Sequence, residues 1–352
     1  MSWIRNIFYL GYWVIAVAIL LEIVFRVLPT SDSLRVKPVN SRNPYLRFEE
    51  NRTVTKQIGF DFTHVNVKRI NNYGFASKRD FNTNERVRKK VVAVIGDSYV
   101  EALQVSDEDS FHAKIDAIFN NIDVYPTAVS GSALSQYIAY KNYTKNNFSP
   151  DLYVFLIIEN DFIQSSYEGQ KNTGFHYFND IGALVRDNYL PSKIKKIARH
   201  SAFLRYLNLD LKLTIQLGKL FQFQTNANNE KLKNDEINEA RGKKAVDWFL
   251  AEIRDLAAEK PVIFILDGDR SSIYAGKKGR DFNIMANRHY QYLFEKSQSI
   301  PNLSTIDLHP VFQNDWGQSK KEFNYKYDYH WNERGHAVAA DALIKFIGEI
   351  EK

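Results

Sequence analysis

The stretch Val91-Val92-Ala93-Val94-Ile95-Gly96-Asp97-Ser98 decides the fold. Five apolar residues with no polar alternation read as a strand buried on both faces, as in a parallel sheet covered by helices. Ser98 then stands just past the strand's carboxyl end, the edge at which ligands and catalytic groups gather in open α/β sheets. By itself the Gly-Asp-Ser step says little, because the same residues make ordinary turns and helix caps.

Three more blocks come after it in order, and each sits next to an expected element. They are Ala128-Val129-Ser130-Gly131-Ser132, then Asn160-Asp161 behind the apolar run Leu152 to Ile158, then Asp328-Tyr329-His330 ahead of a C-terminal helical pattern. Strands are expected at Val91 to Ile95, Ile122 to Ala128, Tyr153 to Ile158, Val262 to Leu266 and Leu303 to Ile306. Helical patterns alternate with them, which argues for an α/β domain with a parallel sheet between helix layers.

This ordered set resembles the SGNH (GDSL-type) hydrolases over roughly residues 67 to 350. The resemblance implies a three-layer, flavodoxin-like fold with a parallel five-stranded sheet, and no metal or other cofactor. It also implies Ser98 as nucleophile, His330 as general base, Asp328 as its orienting carboxylate, and Ser98, Gly131 and Asn160 as oxyanion donors. Two features differ from the common family pattern. Ile158 stands where the third block usually has glycine, and the aspartate lies two residues before the histidine rather than three. The run Asp328-Tyr329-His330-Trp331-Asn332-Glu333-Arg334-Gly335 is similar to a branch containing membrane-linked polysaccharide O-acetyltransferases and esterases.

The chemistry explains the residue types. A serine hydroxyl is a poor nucleophile at neutral pH, so an imidazole must take its proton and a carboxylate must hold the imidazole in the right tautomer. Donors aimed at the developing oxyanion contribute a few kcal/mol each. Asp307-Leu308-His309 offers a second Asp-x-His pair. Asp328 and His330 are preferred because they lead into a helix with Asn332 as N-cap and Val338, Ala342 and Phe346 at helical spacing. His309 reads as a strand-end residue before Pro310. The competing readings are a capping serine for Ser98, a loop-start asparagine for Asn160, and for Asp267 and Asp269 either a metal pair or a common turn.

From Asn6 to Leu21 no residue is charged, and Ile23-Val24-Phe25 extend the run past Glu22 to nearly the ~20 residues that span a bilayer. Residues 1–28 are therefore expected to be a single-pass anchor, with a cleaved signal peptide and a buried amphipathic helix as the other readings. Residues 29–66, with Pro29, Pro38 and Pro44, are expected as a stem, and residues 67–352 as the catalytic domain with a helical insertion around 191–258. At the start of that insertion Lys193, Lys195, Lys196, Arg199 and Arg205 accompany Ile194, Ile197, Leu204 and Leu207. Such a stripe is more often the core face of a lid helix than a face for an anionic membrane. The positive-inside count, Arg5 against Arg26, Arg35 and Lys37, points to a cytoplasmic domain, whereas the resemblance points to an extracytoplasmic one. The extracytoplasmic side is the expectation retained.

With 352 residues, 44% of them hydrophobic, the chain can bury a full core. It has no cysteine, which excludes disulfides and cysteine metal sites. The net charge of +6 is modest for this length, and no motif for nucleic acid accompanies it. The expected activity is that of a serine esterase or acyltransferase acting on O-acyl, above all O-acetyl, esters of a cell-envelope or exported polysaccharide. Expected partners are the membrane, that polysaccharide and polysaccharide assembly proteins. The alternatives are a lipid esterase and a non-catalytic carbohydrate-binding component.

Overall fold

The computed structural model describes residues 2–83, 89–168, 172–213 and 228–350. Five strands form one sheet: β1 (Lys90–Gly96), β2 (Ile122–Ala128), β3 (Leu152–Ile157), β4 (Val262–Leu266) and β5 (Leu303–Asp307). All neighbouring pairs are parallel, in the spatial order β2-β1-β3-β4-β5. The chain thus steps outward from β1 to β2 and returns to lay β3 on the other side of β1. That reversal opens a crevice between the carboxyl ends of β1 and β3, where open α/β sheets bind their ligands. Ser98 follows β1 and Asn160 follows β3, so both arrive at this crevice.

The lack of alternation in the strands has a direct cause, since both sheet faces are dry. Val91, Ala93 and Ile95 face one core with Phe155 and Phe264, covered by the helices Leu134–Phe148 and Asn228–Glu259 through Ile138 and Phe249. Val92 and Val94 face the other core with Val154 and Ile265, covered by the helices Phe111–Ile118 and Glu333–Ile350 through Ile115 and Leu343. In the C-terminal helix the buried seam is His336, Ala339, Ala340, Leu343 and Ile347. Val338, Ala342 and Phe346, expected to form that seam, are the half-buried row beside it. A broad apolar stripe contains two rows at helical spacing, and packing against the sheet buried one of them fully and the other by half.

Residues 29–66 differ from the expected stem. Val39, Leu46 and Phe48 are buried in the same cluster as Val91, and Arg52–Ile58 pairs antiparallel with His64–Ile70, burying Val54, Ile58 and Ile70. The prolines suggested a linker, but the apolar residues between them find a core to enter. The turn Asn71–Phe75 locks this layer on: Phe48 N–H donates to the Gly74 carbonyl at 2.9 Å. Gly74 has φ +82°, and a Cβ there would lie 2.3 Å from the Phe48 carbonyl oxygen, so only glycine fits. Of the expected insertion, residues 214–227 lie outside the described residues.

Helix α1 (Ser2–Val27) stands apart from both cores, and the side chains described along it are mostly exposed. Its apolar span Trp3–Val27 covers 25 residues, about 37 Å at 1.5 Å per residue and long enough to cross a hydrocarbon layer of about 30 Å.

Candidate active site

A short helix, Ser98–Glu101, begins where β1 ends, and Asp97 caps it by accepting the Tyr99 N–H at 3.0 Å. The cap is therefore the aspartate, which leaves the serine side chain free for other work. Ser98 Oγ lies 2.8 Å from His330 Nε2 and 3.0 Å from Asp97 Oδ2. On the far side of the ring, His330 Nδ1 meets Asp328 Oδ1, and the same oxygen accepts the His330 backbone N–H at 3.0 Å. Asp328–Trp331 is a strand paired with Asn324–Tyr325. Residues two apart share a face of a strand, so the spacing of two brings carboxylate and imidazole together and sends Tyr329 outward, 78% exposed.

The electrostatics favour one proton arrangement. Burial raises the Asp328 carboxyl, but the bonds from the His330 ring and backbone, with the imidazole's charge, outweigh it and hold the group at about 2. An ionised Asp328 keeps the proton on Nδ1 and leaves Nε2 bare to accept from Ser98. Burial pushes the neighbouring Asp97 carboxyl up. Its Oδ2 accepts from the Ser98 hydroxyl at 3.0 Å, so the carboxylate and the His330 Nε2 flank the same oxygen.

A second set of residues holds the histidine strand. Arg270 Nη1 donates to the Tyr329 carbonyl at 2.6 Å and the Tyr99 hydroxyl donates to the same oxygen at 3.1 Å, while Arg270 Nη2 donates to that hydroxyl at 2.6 Å. Asp267 accepts from Trp331 Nε1 at 3.0 Å and pairs with Arg270 at 3.3 Å. Asp269 caps the helix Arg270–Tyr274 through the Ser272 N–H and accepts from Asn287 Nδ2 at 2.8 Å. Protein donors thus occupy both carboxylates of the Asp267/Asp269 pair. Arg270 and Tyr99 were not singled out by sequence. Their position, one just past β4 and one beside Ser98, was the available signal.

Gly131 has φ +84°, a conformation open to glycine at little cost. A Cβ there would meet only Phe175 at 3.7 Å, so the backbone angle, rather than crowding by the protein, calls for glycine. The third block is a tight turn held by Asp161, whose Oδ2 accepts the Ile158 N–H at 2.8 Å and the Tyr137 hydroxyl at 2.9 Å. Ile158 is buried beneath this turn and Asn160 is exposed on it, with no hydrogen bond to its side-chain amide among the described residues. Ser98, Gly131, Asn160, Asp328 and His330 all line one cleft of 660 Å³, together with Tyr99, Arg270 and Lys212. Asp307 and His309 do not: Asp307 is held by Arg280, and His309 Nδ1 accepts the Asp269 N–H at 3.2 Å.

Glu101, one turn beyond Ser98, is buried and accepts the Ser130 hydroxyl, tying the Ser98 helix to the Gly131 loop. Burial pushes its carboxyl up from 4.5 to about 7. Between these values the folded chain keeps a proton that the unfolded chain has lost, so this group makes stability fall as pH rises through that window. The loss amounts to about 3 kcal/mol when complete. Glu101→Gln, which mimics the protonated acid, should therefore flatten the fall in Tm between about pH 5 and 8. Parallel melting curves for the two proteins across that range would remove Glu101 as the source.

No protein-family model matches the chain, and no curated protein does. Solved structures align with most of it at low identity. A member of the lipolytic protein G-D-S-L family from Veillonella parvula covers 73% of this chain and 97% of its own, at 13% identity and TM-score 0.40. An acetyl-xylooligosaccharide esterase from Geobacillus covers 74% and 94%, at 14% identity and TM-score 0.38. A two-domain esterase active on acetylated mannans covers 74% of this chain and 49% of its own, at 10% identity and TM-score 0.39.

Proposed function

We propose that this chain is a membrane-anchored serine esterase or acyltransferase of the SGNH type, acting on O-acyl, above all O-acetyl, esters of a cell-envelope or exported polysaccharide. One observation carries the reading: Ser98 Oγ lies 2.8 Å from a His330 Nε2 whose partner nitrogen is held by Asp328. In the first half-reaction Oγ attacks the acyl carbonyl carbon while its proton passes to His330 Nε2. The carbonyl oxygen takes the negative charge and is met by the Gly131 and Ser98 N–H groups and the Asn160 amide. Collapse breaks the ester bond, and His330 returns its proton to the departing sugar oxygen. The acyl-Ser98 then passes its acyl group to water or to a second sugar hydroxyl, deprotonated in turn by His330.

A cleft walled by Asn160, Gln164, Asn287, Asn324 and tyrosines suits a hydroxyl-rich substrate with a short acyl group. The test is to incubate the full chain with an acetylated oligosaccharide and follow free acetate and acetyl transfer, alongside adduct formation with a phosphonate probe. Acetate release or transfer, with the adduct on the peptide carrying Ser98, is the expected result. A chain that turns over no ester and leaves Ser98 unlabelled is not an acyl-serine enzyme.

The domain is placed outside the cytoplasm in this reading. Because the chain has no cysteine, Ile118→Cys, at a position 60% exposed, supplies a single thiol on the domain. A membrane-impermeant maleimide should label it on intact cells or spheroplasts. Labelling only after lysis would reverse the topology.

A further inference from the structure

The stripe that begins the insertion is not a core face. Lys193–Ala198 is a helix with no buried side chain: Ile194 is 80% and Ile197 74% exposed, and Leu190 just before it is 76% exposed. Apolar side chains clustered in water in this way mark a surface that meets something else. Lys193, Lys195, Lys196 and Arg199 stand among them, and none pairs with a carboxylate among the described residues.

The neighbour of this surface, the last two turns of α1, indicates its covering. Glu22 accepts from the Ser201 hydroxyl at 2.7 Å and from the Ala202 and Phe203 N–H groups at 3.1 Å each, while Arg26 bridges Glu22 and the His200 carbonyl. Phe25 stacks on Tyr206 with ring centroids 4.3 Å apart. Residues 200–206 are therefore fixed against the end of the apolar span, and the exposed basic and apolar helix precedes them directly. A bilayer crossed by α1 has its surface at this level.

We propose that the face bearing Leu190, Ile194 and Ile197 lies in the headgroup layer of the bilayer that α1 spans, with Lys193, Lys195, Lys196 and Arg199 on anionic phospholipid. The apolar side chains enter the acyl boundary and the cations meet the lipid phosphates, the chemistry of an interfacial helix. Docking here also sets the height of the catalytic cleft. Tyr206 stacks on Phe62 at 5.5 Å and donates its hydroxyl to the Phe60 carbonyl at 3.0 Å, and the Phe60 ring lies 5.4 Å from Tyr327 in the cleft wall. Two ring contacts and one hydrogen bond to the Phe60 carbonyl thus connect Tyr206, beside α1, to the residue before Asp328.

The proposal rests on reading α1 as a membrane span, and the test separates the two. Single cysteines for an environment-sensitive fluorophore are introduced as Val17→Cys in α1, Ile194→Cys on the proposed face and Ile118→Cys on the domain, each in the full chain in lipid nanodiscs with nitroxide-labelled lipid. Discs of phosphatidylcholine are compared with discs containing roughly a third phosphatidylglycerol. The Ile194 probe should be quenched at least about twice as strongly as the Ile118 probe, and more in the anionic discs. Replacing the four cations, Lys193→Gln, Lys195→Gln, Lys196→Gln and Arg199→Gln, should remove that extra quenching. If the Val17 probe is quenched and the Ile194 probe is no more quenched than Ile118, the docking face is wrong while the span stands. If Val17 is unquenched as well, the span fails and the docking with it. Equal quenching of Ile194 in the two lipids would overturn the assignment of an anionic surface.

Discussion

Ser98→Ala and His330→Ala are each expected to lower kcat by roughly 10⁴–10⁶-fold on any ester the chain cleaves, because nucleophile and base act as one unit. The 2.8 Å contact between Ser98 Oγ and His330 Nε2 means that loss of either atom stops the same proton transfer. The double variant should therefore be scarcely worse than either single one. Asp328→Asn should cost less, since His330 also stays positioned by its strand, whose Tyr329 carbonyl is gripped by Arg270 and Tyr99. His309→Ala should change the rate by no more than a few-fold, because His309 faces the Asp269 backbone outside the cleft. Initial rates on a short-chain chromogenic ester, with melting temperatures to show that each variant is folded, decide the matter. An inactive His309→Ala beside an active His330→Ala would mean that the wrong histidine had been assigned.

If Asn160 is an oxyanion donor as proposed, its amide meets the oxygen only once that oxygen carries charge, and Asn160→Ala should lower kcat by about 10²–10³-fold with little change in KM. The turn itself should survive, because Asp161 rather than Asn160 holds it, through Ile158 and Tyr137. A normal melting temperature with depressed kcat is thus the expected pair of results. Asn160→Asp should be at least as harmful, since a carboxylate repels the oxyanion. If both variants keep the wild-type kcat on an ester that Ser98 cleaves, Asn160 is only a loop residue.

Much of the site was legible because each component is local to the end of a strand. The apolar runs at Val91, Val154 and Val262 have no reading compatible with one wet face, and a parallel sheet delivers the loops after its strands to one edge. The departure at Ile158 also has a local explanation: the Asp161 carboxylate closes that turn, and the isoleucine side chain tucks beneath it. The spacing of two in Asp328-Tyr329-His330 became intelligible once those residues were found in a strand, where residues two apart share a face. Arg270, Tyr99 and Glu101 were harder to read, because their roles consist of contacts between segments far apart in the chain. Arg270 acts on a carbonyl 59 residues away, and Glu101 on a hydroxyl 29 residues away.

The sequence by itself determined the five strands, their parallel pairing, the apolar span at the N-terminus and the identities of Ser98, Gly131, Asn160, Asp328 and His330 as candidates, since periodicity and order along the chain carry that information. The sequence preferred His330 to His309 only for the helix that follows it, and the tertiary structure alone sets His330 Nε2 against Ser98 Oγ while His309 meets the Asp269 backbone. The tertiary structure also drew residues 29–66 into the domain, because whether Val39 or Phe48 is buried depends on a cavity built by other segments. The basic stripe at 193–199 shows the same limit in the opposite direction. Its spacing favours a core face over a bilayer face, and the solvent exposure of Ile194 and Ile197 beside the end of α1 is a property of where the helix was set down.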